Sequence, residues 1–315
     1  MIKYFLTKDG VTEQVDALQD GCWVNAYAPT NAEIEYLQTT FNLPEEFMRS
    51  SLDEEETSHI VTEDDQTLII IDIPCSDKKG DEVSYYTTPL AIILTKTNVI
   101  TLCTKQHSVI KEIAKGAVKD INTAHKTQFL LHILFRVATR FLQYINLMQK
   151  KSDSLEKKLR LSMRNEELVQ LLDMQKAFVY YHTSLKSNEL TLSKIMRTRN
   201  IKLYEDDQDL MEDVMIEIKQ AIEMSSIYLN ILSETMDAFA SVISNNLNNV
   251  MRLLAAITLV LSIPTMIFSF YGMNIGPTEA GNLPFANNIV VPLALSLILV
   301  VICIIVLFKR PRIKK

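Results

Sequence analysis

Apolar residues follow two different rhythms along this chain. Up to about residue 120, short β-branched and aliphatic runs at 2–6, 22–27, 67–73, 83–87, 90–94 and 99–103 are separated by Gly, Pro, Asp and Asn, the pattern of strands in a mixed α/β domain. Helices are predicted after Thr30, where Thr30 or Asn31 can cap, from about Pro44, and after Ser108. Residues 117–263 then contain no glycine or proline, so this region reads as long helices. Apolar clusters at 129–141 and 168–181, with charged stretches at 150–160 and 163–167 between them, predict two antiparallel helices turning near 162–165. A second turn near 198–204 feeds the last helix, in which Leu210, Val214, Ile218, Ala221, Tyr228, Leu232, Phe239, Ile243, Leu247 and Val250 keep helical spacing. That helix runs on into residues 253–271, a stalk and span together of roughly 65 residues and about 100 Å at 1.5 Å per residue.

Residues 253–271 carry no charge and reach roughly the 30 Å of a bilayer core. A second uncharged segment, 289–308, is also long enough to cross; Pro292 is tolerated near its start, and Ser296 is its single hydroxyl. Lys309, Arg310, Arg312, Lys314 and Lys315 follow it, Arg252 flanks the first span, and residues 275–288 hold no Lys or Arg. The positive-inside rule then predicts a multi-pass cell-membrane protein with both termini cytoplasmic and the connection outside. The predicted fold class is an α+β cytoplasmic domain with long helices and a long stalk helix continuing into the first of two transmembrane helices. Its expected divisions are 1–121 (α/β domain), 122–203 (antiparallel helices), 204–252 (stalk), 253–271 (first span), 272–288 (extracellular loop), 289–308 (second span) and 309–315 (basic tail).

Within the first span the polar and small residues are ordered. Asn248, Met251, Ala255, Thr258, Ser262, Thr265, Ser269 and Gly272 recur at alternating steps of three and four, which places them on one helical face. Leu253, Ile257, Val260, Leu261, Ile267 and Phe268 occupy the other faces and suit lipid. Such a stripe serves either close helix packing with interhelical hydrogen bonds or the wall of a narrow aqueous pore. Two spans cannot enclose a pore alone, so the second reading requires a homo-oligomer.

Charge and motif content narrow the function. A net charge of -6 without a basic stripe argues against nucleic acid. No GxxxxGK[ST] segment is present for a nucleotide, and the four cysteines and five histidines form no CxxC, HxxxH or HExxH pattern. No catalytic residue, and no enzyme, is predicted. His132 reads as a packed or hydrogen-bonded residue, and the acidic stretch 53–56 as a solvated helix end.

Tyr271-Gly272-Met273-Asn274 ends the first span, with the second span close behind. At this position the chain resembles the CorA family of magnesium transporters, whose signature is Gly-Met-Asn at the outer end of the first of two transmembrane helices. The acidic segments 52–56 and 61–65, the strand after them and the run 89–94 are similar too. The resemblance implies a homopentamer in the lipid bilayer, the first helices lining the pore and the second ringing them. It also implies that Gly272, Met273 and Asn274 bind a hydrated Mg2+ ion through its waters at the outer mouth, and that Met251 and Leu254 form a hydrophobic constriction. Neutral oxygen groups suit an ion that sheds its water reluctantly. Uptake would be driven by membrane potential, about 4.6 kcal/mol for two charges across 100 mV, twice the single-charge figure.

The resemblance further implies closure by cytosolic Mg2+ bound between subunits. Among the stalk acids Asp206, Asp209 and Asp213, which share a face, Asp213 is the best positional match. The family's usual Met-Pro-Glu-Leu segment is missing after Asn274, and Glu279 is the only acid of the loop. That departure leaves Co2+, Ni2+ or Zn2+ as alternative cargo, and a membrane-tethered oligomeric scaffold or sensor as the alternative of a different class.

Overall fold

The computed structural model describes residues 1–79, 82–118, 121–162, 165–198, 201, 204–272 and 290–309. It separates into two compact units, Met1–Met236 and Asp237–Lys315. The first unit opens with β1 (Ile2–Lys8), β2 (Val11–Val15) and β3 (Trp23–Tyr27), followed by α1 (Asn31–Phe41) and α2 (Glu45–Leu52). Next come β4 (His59–Glu63), β5 (Gln66–Lys79), β6 (Glu82–Leu94), β7 (Val99–Cys103) and α3 (Ser108–Ala114). The long helices are α4 (Lys126–Ser162), α5 (Asn165–Arg197), α6 (Glu205–Gly272) and α7 (Val290–Lys309).

The seven strands form one sheet in the order β2-β1-β3-β7-β6-β5-β4. Pairing is antiparallel except between β3 and β7, where Trp23 lies beside Val99 and Tyr27 beside Cys103. Because side chains alternate across a strand, a central strand with helices on both sides is apolar at almost every position. On one face Val24, Ala26, Leu68, Ile70, Ile93, Ile100 and Leu102 pack with Leu37 of α1 and Phe47 of α2. On the other, Trp23 stacks on Phe5 at 4.9 Å and meets Phe129 of α4 at 5.3 Å, all three buried. Burying one such large side chain contributes roughly 2–3 kcal/mol.

Local signals set the small helices. Thr30 caps α1 reciprocally: its hydroxyl accepts from Glu33 N at 3.4 Å, and Glu33 Oε2 accepts from Thr30 N at 2.8 Å. Such a cap contributes about 1 kcal/mol. Glu33 also holds the N-terminal ammonium at 2.9 Å, and this bond, followed by that from Thr30 N, lowers its pKa to about 2. Asn42 ends α1 in the left-handed conformation at φ 50°.

His107, at the start of α3, is buried, with Nδ1 3.2 Å from Cys75 Sγ and Nε2 3.4 Å from Thr88 Oγ1. Burial first, and the nearby Lys105 charge second, bring its pKa down to about 4. Burial likewise raises the Cys75 thiol to about 11.

Helices α4 and α5 are antiparallel. Phe141 meets Tyr181 at 5.2 Å, while Leu155 and Met174 line one cavity further along. Tyr181 fastens α5 to the sheet by donating from its hydroxyl to Cys75 O at 2.9 Å. Against α5, α6 packs Val214, Ile218, Ala221 and Ser225, all buried, with Phe178 and Tyr228 rings 5.9 Å apart and His182 Nδ1 3.1 Å from Ser225 Oγ.

Candidate functional site

Helix α6 carries every candidate residue within the described part of the chain. Asp206, Asp209 and Asp213 stand in its first turns, Asn248 to Ser269 in its second-unit portion, and Gly272 is its last residue. Met273, Asn274 and Glu279 lie outside the described residues.

The stalk begins with Glu205, Asp206 and Asp207, negative charge where the helix dipole is positive. Asp206, Asp209 and Asp213 are all exposed. Asp206 borders a polar cleft of about 710 Å3 that Asp65, His125 and Lys126 also line. There Lys126 Nζ donates to Thr95 O at 2.6 Å and Lys96 O at 2.8 Å, and burial lowers its pKa. The one buried acid of this stretch is Asp207, whose Oδ2 accepts from Tyr204 N at 3.0 Å and so caps the helix. Sequence spacing does not separate Asp207 from its neighbours; the chain's path into the helix does. Among the described residues no three His, Cys, Asp or Glu side chains come close enough to hold a metal ion.

In the second unit, α6 and α7 are both long and apolar enough to cross a membrane. Three hydroxyls of the stripe are bonded within the helix: Thr258 Oγ1 donates to Leu254 O at 2.9 Å, Ser262 Oγ to Leu259 O at 2.8 Å and Thr265 Oγ1 to Leu261 O at 3.1 Å. A hydroxyl has one hydrogen and two lone pairs. With the hydrogen committed to the backbone, each oxygen presents only acceptor capacity outward, which suits a cation or the hydrogens of its bound waters. Pro264 sits inside the helix and has no N–H to offer the carbonyl four residues earlier.

Exposure distinguishes the faces of α6. Asn248, Met251, Ala255, Thr258, Ser262, Thr265 and Ser269 are all exposed, whereas Ala256, Val260, Ile263, Pro264 and Ile267 are partly shielded. Taking 3.6 residues per turn, the shielded positions centre about 155° from the stripe. On α7 the shielded positions Pro292, Ser296, Val300 and Cys303 also share one face, and Ser296 Oγ donates internally to Leu293 O at 2.9 Å. Two of the positions expected to face lipid, Val260 and Ile267, are thus partly covered within the chain, while the polar stripe is left open.

A family model described as CorA-like Mg2+ transporter protein matches residues 19–310. A protein named cobalt/magnesium transport protein CorA, from Methanocaldococcus jannaschii, is 28% identical over 302 residues, covering 91% of this chain and 90% of that relative. A magnesium transport protein CorA from Campylobacter jejuni is 23% identical over 308 residues, 93% of this chain and 91% of the relative. Among solved structures, the complete CorA magnesium transporter of Methanocaldococcus jannaschii aligns with 100% of this chain and 98% of its own at a TM-score of 0.79 and 23% identity, the same fold.

Proposed function

The chain belongs to the CorA-like Mg2+ transporter family, a family of divalent cation transporters, and on that premise we propose that it is a homopentameric channel for Mg2+ uptake in the cell membrane. Both termini are cytoplasmic in this reading, α6 lines the pore and α7 stands outside it. The observation that carries it is the open stripe of α6, on which Thr258, Ser262 and Thr265 spend their hydroxyl donors on the backbone and keep their acceptors away from the shielded side. A stripe serving only to pack the two spans of one chain would be expected on the covered face. Half-exposed Ile216, Ile227 and Ile231 on α6 give further copies an apolar surface to bury.

In this mechanism a hydrated ion is held at the outer mouth by Gly272, Met273 and Asn274, passes the hydroxyl rings, and meets a hydrophobic constriction at Met251 and Leu254 before leaving by Asn248. Membrane potential drives entry. Cytosolic Mg2+ closes the pore from between subunits through stalk acids such as Asp213, which stands exposed in the first turns of α6. Co2+ is the second cargo, supported by the name of the archaeal relative.

Purified protein in liposomes tests the reading, with Mg2+, Co2+, Ni2+ and Zn2+ influx measured under an inside-negative potential. Mg2+ and Co2+ influx is expected, and Asn274→Ala is expected to abolish it while the oligomer persists by size exclusion. Influx of none of the four ions above protein-free liposomes would leave the membrane-tethered scaffold as the reading. Ni2+ or Zn2+ influx without Mg2+ would reassign the cargo.

A further inference from the structure

Away from α6, a cavity of about 220 Å3 lies in the first unit between the β1–β3 side of the sheet and α3. Its floor includes Lys3, Gln14 and Asn25, and its roof Gln106, Lys111 and Lys115. The sheet register sets the floor: Lys3 pairs with Asn25 across β1 and β3, and Asn25 with Thr101 across β3 and β7. Paired residues point to the same face, so Lys3 and Thr101 flank Asn25 on the side that α3 covers.

Asn25 is an amide in a position where a two-sided sheet normally holds an apolar residue, and only 5% of it is exposed. A buried relay sets its orientation. Trp23 Nε1, which can only donate, bonds Thr101 Oγ1 at 2.8 Å, and the Thr101 hydroxyl in turn reaches Asn25 Oδ1 at 3.3 Å. With Oδ1 turned to Thr101, the amide nitrogen is turned toward the cavity, and among the described residues it donates to no acceptor. That nitrogen is open to the cavity and free to donate to an acceptor held there.

Charge identifies the acceptor. Lys3, Lys111 and Lys115 line the cavity, no Asp or Glu does, and none of the three lysines has an ion-pair partner among the described residues. Lys111 on α3 and Lys115 at its C-terminal cap stand four residues apart, while the acid between them, Glu112, is drawn to Arg140 of α4. Cations are therefore gathered on the cavity side of α3, and its carboxylate is engaged elsewhere. At about 30 Å3 per water the space holds about seven waters, enough for a tetrahedral oxyanion with part of its hydration. It is smaller than the roughly 300 Å3 at which pockets for organic ligands begin.

We propose that this cavity is a binding site for inorganic phosphate, held by the Asn25 amide and the ammonium groups of Lys3, Lys111 and Lys115. The site is independent of the transport reading, since none of its residues lies on α6 or α7.

Calorimetric titration of the detergent-solubilised full-length protein with orthophosphate, in buffer free of divalent cations, tests it. Saturable binding of one phosphate per subunit is expected, unchanged by equimolar chloride. Asn25→Asp keeps the acceptor for Thr101 but replaces the donor by a carboxylate, and the double variant Lys111→Gln/Lys115→Gln removes two charges from an exposed helix face. Each is expected to weaken binding about tenfold or more. The double variant is expected to keep the parent's unfolding midpoint without phosphate, so it remains informative if Asn25→Asp fails to fold. No saturable heat with the parent, or binding within about twofold of the parent in either folded variant, would overturn the proposal. Displacement of phosphate by equimolar ADP would overturn the assignment to the inorganic ion.

Discussion

Asn188 of α5 pairs with the backbone of Asp72 in both directions: its Nδ2 donates to Asp72 O at 2.8 Å and its Oδ1 accepts from Asp72 N at 2.9 Å. On that edge of β5 the partner strand β4 ends at His59, opposite Ile70. The side chain supplies the hydrogen bonds that the second residue of a longer β4, the one opposite Asp72, would have made, and fastens the helical layer to the sheet.

Replacing Asn188, itself only 2% exposed, by Ala leaves the backbone N–H and C=O of Asp72 without these partners. A loss of about 2 kcal/mol or more is expected, read as a lower denaturant midpoint through the fluorescence of the only tryptophan, Trp23. A midpoint equal to the parent's would show that this pair contributes nothing.

Acid should expose His107. Its folded pKa is about 4 against an ordinary 6.5, because burial disfavours the charged imidazole. Below pH 6.5 the unfolded chain takes up a proton that the folded chain refuses until about pH 4. Stability is therefore full above pH 6.5 and falls as pH drops through this window, by about 3 kcal/mol in all. His107→Gln is expected to flatten that part of the stability profile. Glu33, with its pKa lowered from 4.5 to about 2, loses its contribution in a more acidic window, so the two effects separate.

Accessibility of α6 tests the pore assignment. In a background with Cys303 replaced, cysteines placed singly at Ser262 or Ser269 are expected to react with small water-soluble thiol reagents, and those at Ile257 or Val260 are not. Equal labelling of both pairs would remove the stripe from the pore wall.

Asp213→Asn or Asp213→Lys is expected to give a channel that conducts at millimolar internal Mg2+ and whose first unit is less protected by Mg2+ from protease. A cation bound only by the closed state stabilises that state, and equivalent sites around a ring sum. Closure at the parent's internal concentration would place regulation at other residues.

Two strands escaped the sequence pattern, β2 and β4, and both lie at the sheet's outer edges. Edge strands face solvent along one side, so segments such as Val11–Val15 carry polar residues that blur the alternation. The dipeptide Asp9-Gly10, with φ of 51° and 80°, is the hairpin signal that would have found β2. The runs 83–87 and 90–94, expected as separate strands, form the single strand β6 through Pro89. Strand β7 pairs with β6 only at Ala91 to Leu94, so the proline falls where one edge of β6 is open and a missing N–H is tolerated.

What the sequence determined alone is everything carried by periodicity along one element: the mixed α/β first domain, the unbroken helices, two apolar spans, the stripe on α6 and the Gly-Met-Asn that ends it. Helical and strand rhythms are local, so they survive in a one-dimensional reading. Only the tertiary structure decided which face of α6 is covered and which is open, that Asp207 is buried while Asp213 stays exposed, and that Asn188 completes β5. Those outcomes depend on residues brought together from distant parts of the chain. The Asn25 cavity is the clearest case, because Trp23 must meet Thr101, 78 positions away, before the amide has a direction.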